Sequence, residues 1–252
     1  MQIHREYAEK LVAKMKGLHS KTPTIVPARE SEFTHLDLGS YRNFQTALEA
    51  QGYRFLGDFE VLDVSNATDS VMARTMIRAM VSGDGSTSAG HYQVRPRMER
   101  AARNLVEGIL NFRFFDAPAS FFNSMQTRQI YDFESEVGST FVNTSNAEIA
   151  GKFTSPASID VLYLPNGTRL EDVRLAHVTR LASTMERTGT APRRMASHED
   201  VVAMGERHRE QKATHRAASG WITHAELLRF TNGNVVLADS IFEEVQAIIH
   251  QS

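Results

Sequence analysis

The chain contains no cysteine, which removes disulfide frameworks, thiolate metal centres and cysteine nucleophiles together. A reducing compartment fits that absence. No run of about 18 consecutive apolar residues occurs, so no membrane-crossing helix is expected. The opening residues, Met1 to Glu6, lack the apolar stretch of a secretory signal. We therefore expect a soluble, cytoplasmic protein in which the acceptor-type triplets starting at Asn66, Asn143 and Asn166 carry no glycan. Neither charge dominates: 28 basic residues face 30 acidic ones, interleaved along the chain. Nucleic-acid binders concentrate basic residues on one element, so nucleic acid is not an expected partner. Internal repeats and low-complexity segments are missing too.

What remains is an ordinary globular composition, 41% hydrophobic and 23% charged, with length enough for one large core or two small ones. Ile3, Tyr7, Leu11, Met15 and Leu18 recur at helical spacing, predicting an amphipathic helix over residues 1–20. Its basic side allows membrane-surface or partner docking, but packing of the apolar stripe on the main domain is the expected use. Ser40 reads as the cap of a second helix that ends near Gly52.

The period then changes to two. Tyr53 to Val64 reads as a strand, with Phe55, Gly57, Phe59 and Val61 on one face and Arg54, Leu56, Asp58 and Glu60 on the other. Val71 to Val81 alternates Val71, Ala73, Thr75, Ile77, Ala79 and Val81 against Met72, Arg74, Met76, Arg78 and Met80. Gly83-Asp84-Gly85 turns that strand back through Ser86 to Arg95, which includes His91. A helix from Pro96 to Phe112 and an aromatic bend with Phe114, Phe115, Phe121 and Phe122 follow. Gln129 to Val137 and Thr140 to Thr144 form a second hairpin around Gly138-Ser139, and Ile159 to Leu164 adds a short strand.

Thr168 with Glu171 has capping-box spacing ahead of a long helix, and Thr188 to Ala196 is the best linker. Beyond it, Ser197 heads a highly charged helix, Thr223 with Glu226 repeats the capping box, and Leu237 to Ile249 closes the chain. The reading is an α+β fold: an antiparallel sheet of five to six strands with flanking helices over residues 40–187, plus a helical C-terminal region over 197–252.

The segments YRFLGDFE, GDG and YDFES..GSTFVNTSNA, in that order, resemble a pattern of uncharacterised bacterial proteins. The resemblance spans roughly residues 40–185. It implies a single sheet and no particular activity.

Chemistry has to come from the strand faces. If Asp58, Glu60, Asp132, Glu134 and Glu136 share a face with Met72, Arg74, Met76, Arg78 and Met80, then a base, carboxylates and guanidinium donors meet there, with His91 beside them. Two readings stay open. One is a non-enzymatic binding or regulatory protein with a protein partner or a second copy of itself. The other is a small hydrolase or phosphate-ester-acting enzyme with His91, Asp132 and Glu134 as catalytic groups and Arg74, Arg78 and Met76 holding an anionic ligand. A plain polar face of cross-strand ion pairs is the bland alternative.

Other motifs carry less. His198, His208 and His215 sit on the charged helix without the zinc-protease spacing, so a solvated, ion-paired helix is expected and no metal. Ser82 to Ser86 lacks the lysine and following helix of a phosphate loop. His177-Val178-Thr179 matches half of a two-histidine phosphoesterase pattern, but it shares an apolar helix stripe and reads as core. No serine-hydrolase elbow is present, and no cofactor is implied.

Overall fold

The computed structural model describes residues 2–20, 22–65, 73–95, 127–148 and 153–251. The predicted helix from Pro96, the aromatic bend after it, and the Val71–Met72 end of the predicted strand lie outside them. Seven strands form one sheet in chain order: β1 (Ile25–Pro27), β2 (Arg54–Val61), β3 (Ile77–Val81), β4 (Ser88–Val94), β5 (Arg128–Val137), β6 (Thr140–Ser145) and β7 (Ile159–Tyr163). The first six run antiparallel, and β7 joins β6 in parallel. The α+β class holds. The sheet, however, is mixed and seven-stranded rather than purely antiparallel with five to six, because the segment after β6 returns to β7 in the same direction instead of through a hairpin.

Among the described residues the α-helices are α1 (Gln2–Ser20), α2 (Leu38–Glu49), the single turn α3 (Leu62–Ser65), α4 (Leu170–Thr188), α5 (His198–Ala218), α6 (His224–Phe230) and α7 (Val235–His250). Capping follows local chemistry. Thr223 with Glu226 closes the capping box that its spacing predicts on α6, and Ser197 caps α5, where Asp200 completes a second box. At α2 the cap is Asp37, which accepts from the Ser40 amide, and Ser40 turns inward instead. At α4 the cap position is Arg169, with no side-chain capping bond, while the Thr168 hydroxyl donates back to the Pro165 carbonyl.

Cross-strand partners fix which residues share a face. Asp58, Arg78, His91 and Tyr131 stand opposite one another from β2 to β5, and so do Met80, Ala89 and Phe133. This first face is sealed. Phe44 and Leu48 of α2 and Val173 of α4 pack with Tyr53, Met80, Ala89 and Phe133 in one core cluster. A bulge between Phe55 and Gly57 exchanges the expected faces of Phe55 and Leu56: Phe55 lies opposite Met80, and Leu56 packs with Val81 and Phe141 on the other side.

The second face carries α5. The His198 ring stacks on Phe59 at 3.6 Å, Met204 packs among Val81, Phe141 and Ile159, and His208 stacks on Phe141 at 5.0 Å. The helix thus crosses the sheet from β2 toward β7. Farther out, α1 packs with α6 and α7 through Ala8, Val12, Leu227, Ala238, Ile241 and Val245. The apolar face of α1 is rotated from the expected stripe, since Tyr7 is 57% exposed while Ala8 and Val12 are buried. No described helix is long and apolar enough to cross a membrane.

The β3–β4 turn is anchored to the linker ahead of α5. Asp84 accepts from the Ser82 hydroxyl and from both the amide and hydroxyl of Ser86, and the Met195 amide donates to the Gly85 carbonyl at 2.8 Å. Gly85 has φ +77°, and a Cβ there would lie 2.7 Å from the Met195 carbonyl oxygen. Gly85→Ala is therefore expected to destabilise the protein by about 2 kcal/mol or more, left-handed strain and contact adding together. Chemical denaturation beside Gly52→Ala, a site with φ +81° and open space, checks the contact contribution.

Candidate functional site

The register separates the residues that the sequence reading placed together. Arg78 and His91 stand on the sealed face with Tyr131, whereas Asp132 and Glu134, one and three residues farther along β5, point to the other. His91 is fully buried. Its Nδ1 donates to the Ile130 carbonyl at 2.9 Å, so Nε2 is the nitrogen that accepts from the Ser40 hydroxyl at 3.1 Å. Burial pushes its pKa down to about 4, and the nearby Arg78 charge works in the same direction.

Arg78 is spent on an ion pair with Asp58 at 2.7 Å and another with Glu30 at 2.5 Å. Arg74 forms a two-point bond with Glu60 and lies over the Phe33 ring. Met76 is buried with Phe33, Leu36 and Tyr41. These four residues hold α2 and the 30–32 turn onto the sheet, and none of them faces Asp132 or Glu134. His177 is likewise a core histidine, between Ser135 at 3.0 Å and Thr144 at 3.2 Å.

The second face is different. The row through Asp132 reads Gly57, Ala79, Gly90, Asp132, Ser145 and Tyr163 across β2 to β7. Gly57 is covered by the Phe59 ring, but a Cβ on Gly90 would meet only an Ile77 methyl at 3.7 Å. The middle of the row is therefore a shallow trough. Its residues Ile77, Ala79, Gly90, Tyr92, Asp132 and Glu134 stay half-buried, although β3, β4 and β5 are the central strands.

Above the trough α5 supplies His208 and, one turn on, Lys212, which helical spacing puts on the same side. His208 Nδ1 contacts Glu134 Oε1, and the side chain is 8% exposed. Its Nε2 is buried with no partner. An unmet buried ring nitrogen disfavours the fold by about 1–3 kcal/mol, and such atoms call for an explanation. With Nδ1 held by a carboxylate, Nε2 is the atom left to exchange a proton with a ligand.

The two carboxyls of β5 are pushed apart. Burial raises Asp132, and the Ser145 and Tyr92 hydroxyls and the Lys212 charge only partly oppose it. Burial also acts upward on Glu134, but the His208 hydrogen bond, the His208 charge and Lys212 together hold it below the ordinary carboxylate value. Opposite shifts in adjacent carboxyls are how acid and base roles become divided. Tyr92 is raised far up by burial and by Asp132, and Tyr163 is raised to about 12, again mainly by burial.

The sequence reading singled out Asp132 and Glu134 but paired them with the wrong histidine. The sequence expectation for His208 is a solvated, ion-paired helix, since the helix is highly charged and lacks the zinc-protease spacing. Its inward side carries Met204 in the core together with polar groups that meet a polar strand: Arg207 meets Glu136 and His208 meets Glu134. The alternation of acids along β5 beside a His/Arg-rich helix was the available signal. Among the described residues no cluster of three or more metal-ligating side chains forms. No family model, no curated protein and no solved structure matches the chain.

Proposed function

We propose that this protein is an enzyme that holds a small polar molecule in the trough of the second sheet face and acts on it by acid–base chemistry. His208 is the base, Glu134 positions it, and Asp132 is the acid. The observation that carries this reading is the Glu134–His208 pair, with one ring nitrogen held by a carboxylate and the other buried without a partner. The division of the two β5 carboxyls supports it. The hydrolase alternative left open by the sequence is thereby moved from His91 to His208. A binding or regulatory protein is what remains if a ligand is held without turnover.

Gly90→Val is the discriminating substitution. Valine suits an extended strand, so the fold is expected to keep its stability within about 1 kcal/mol, while the added side chain fills the trough. A library of small metabolites, acyl esters and phosphate esters is screened by thermal shift and turnover against both forms. The expected result is a compound that stabilises or is consumed by the native protein and is ignored by Gly90→Val. Equal responses from the two forms, or no responding compound, would overturn the reading.

A further inference from the structure

Lys212 stands out among the cations of α5. Arg207 is paired with Glu136 and Arg216 with Glu226. Among the described residues Lys212 has no ion pair or hydrogen bond, although Asp132 and Glu134 both lie within electrostatic reach of it. It sits one turn from His208, on the side of α5 that meets β5. A cation flanked by two carboxyls that nevertheless closes on neither leaves a gap between amine and carboxyls. Gly90 stands directly opposite Asp132 in the strand register, and a Cβ there would meet only an Ile77 methyl at 3.7 Å.

We propose that Lys212 captures a small aldehyde or ketone as an imine in this trough, with the His208–Glu134 pair and Asp132 moving the protons. The inference rests on the acid–base reading above and names its substrate class. The chemistry balances without a co-reactant. The neutral amine attacks the carbonyl carbon, the nitrogen gives a proton to His208 Nε2, and the alkoxide takes one from Asp132. Loss of the hydroxyl as water, protonated in turn by His208, leaves the C=N bond. Burial lowers the proton affinity of Lys212 more than Glu134 and Asp132 raise it, which favours the neutral amine this step needs.

The test is reductive trapping at neutral pH with sodium cyanoborohydride, using pyruvate and glyceraldehyde as separate probes, followed by peptide mapping. Lys212 is expected to be labelled severalfold faster than any of the other five lysines, because its lowered proton affinity leaves a larger share of its amine neutral. Lys212→Arg and urea-unfolded protein are expected to lose that selectivity, and His208→Gln to slow labelling with Lys212 intact. Labelling of Lys212 no faster than the other lysines overturns imine formation. It leaves the acid–base reading standing if Gly90→Val still abolishes the response to a library compound. Fast labelling that is unchanged by Gly90→Val supports capture by Lys212 but removes the trough from both ideas.

Discussion

Glu226→Ala is expected to lower the stability of the folded chain by about 3–5 kcal/mol, the usual result of leaving one member of a buried ion pair alone. Glu226 is fully buried and accepts four bonds. Arg216 Nη1 lies at 2.5 Å from Oε1, the Thr154 amide and hydroxyl donate to the same oxygen at 2.6 and 2.7 Å, and the Thr223 amide donates to Oε2 at 2.8 Å. Arg216 also donates to the Thr154 carbonyl at 2.7 Å and lies over the Phe153 ring. One carboxylate thus ties α5, α6 and the segment leading into β7. Removing it leaves a buried guanidinium and two backbone amides without an acceptor. The paired substitution Arg216→Met with Glu226→Leu is expected to recover part of the loss, because exchanging both charges for apolar volume removes the stranded guanidinium, while the Thr154 and Thr223 amides still lack their acceptor. Urea denaturation of the single and double variants measures this. A loss under about 1 kcal/mol for Glu226→Ala would show the network to be decorative.

That network also shows what a sequence pattern conveys. The Thr223/Glu226 spacing announced a helix start, and the capping box is there. Nothing in the spacing announced that the same glutamate would receive an arginine ten residues back and a threonine from before β7. Strands were legible because alternation is local: β4, β5 and β6 and both hairpin turns lie where period and glycine placed them, whereas β3 covers only Ile77–Val81 of the expected Val71–Val81 strand and residues 73–76 run as irregular chain. Face assignment needed register, which is non-local. A shift of one residue between His91 and its partner on β5 decides whether it meets Tyr131 or Asp132, and sequence alone carries no such measurement. The expected Arg/Met/acid patch is consequently split: Asp58 and Glu60 stay with Arg78 and Arg74, while Asp132 and Glu134 face the other side. The role of α5 was hidden for a related reason. Apolar periodicity detects helices that bury hydrocarbon, whereas α5 buries His208 and Arg216 against carboxylates. On α1 the stripe was read through Tyr7, but the true contact side uses the smaller Ala8, which lets α7 approach closely.

Acid is expected to unfold this protein at a milder pH than its carboxylates alone would suggest, because two core histidines must charge. His91 and His177 are fully buried, and burial, as the largest cause, pushes their pKa values down to about 4 and about 3. For histidine the depressed folded value means that the folded state holds the neutral ring while the unfolded chain takes a proton near 6.5. The stability this represents is intact above pH 6.5 and is lost as pH falls from there through the folded values. By pH 4.5 the loss amounts to about 2.5 kcal/mol for each ring and about 5 kcal/mol together, a large part of the 5–15 kcal/mol typical of a domain. Asp132 opposes the trend below its raised folded pKa, where the folded state already holds a proton that the unfolded chain does not. Glu134, held low, adds to the loss as pH falls below the ordinary carboxylate value. Urea titrations at pH 7.5, 5.5 and 4.5 give the slope directly, and about two protons taken up on unfolding near pH 5.5 is the expected count. His177→Gln, whose amide still reaches toward Ser135 and Thr144, is expected to be weaker at pH 7.5 but to take up about one proton fewer. A stability that stays flat from pH 7.5 to 4.5 would mean that these rings charge without leaving the core, and the packing of α2 and α4 described above could not then be as tight as their burial requires.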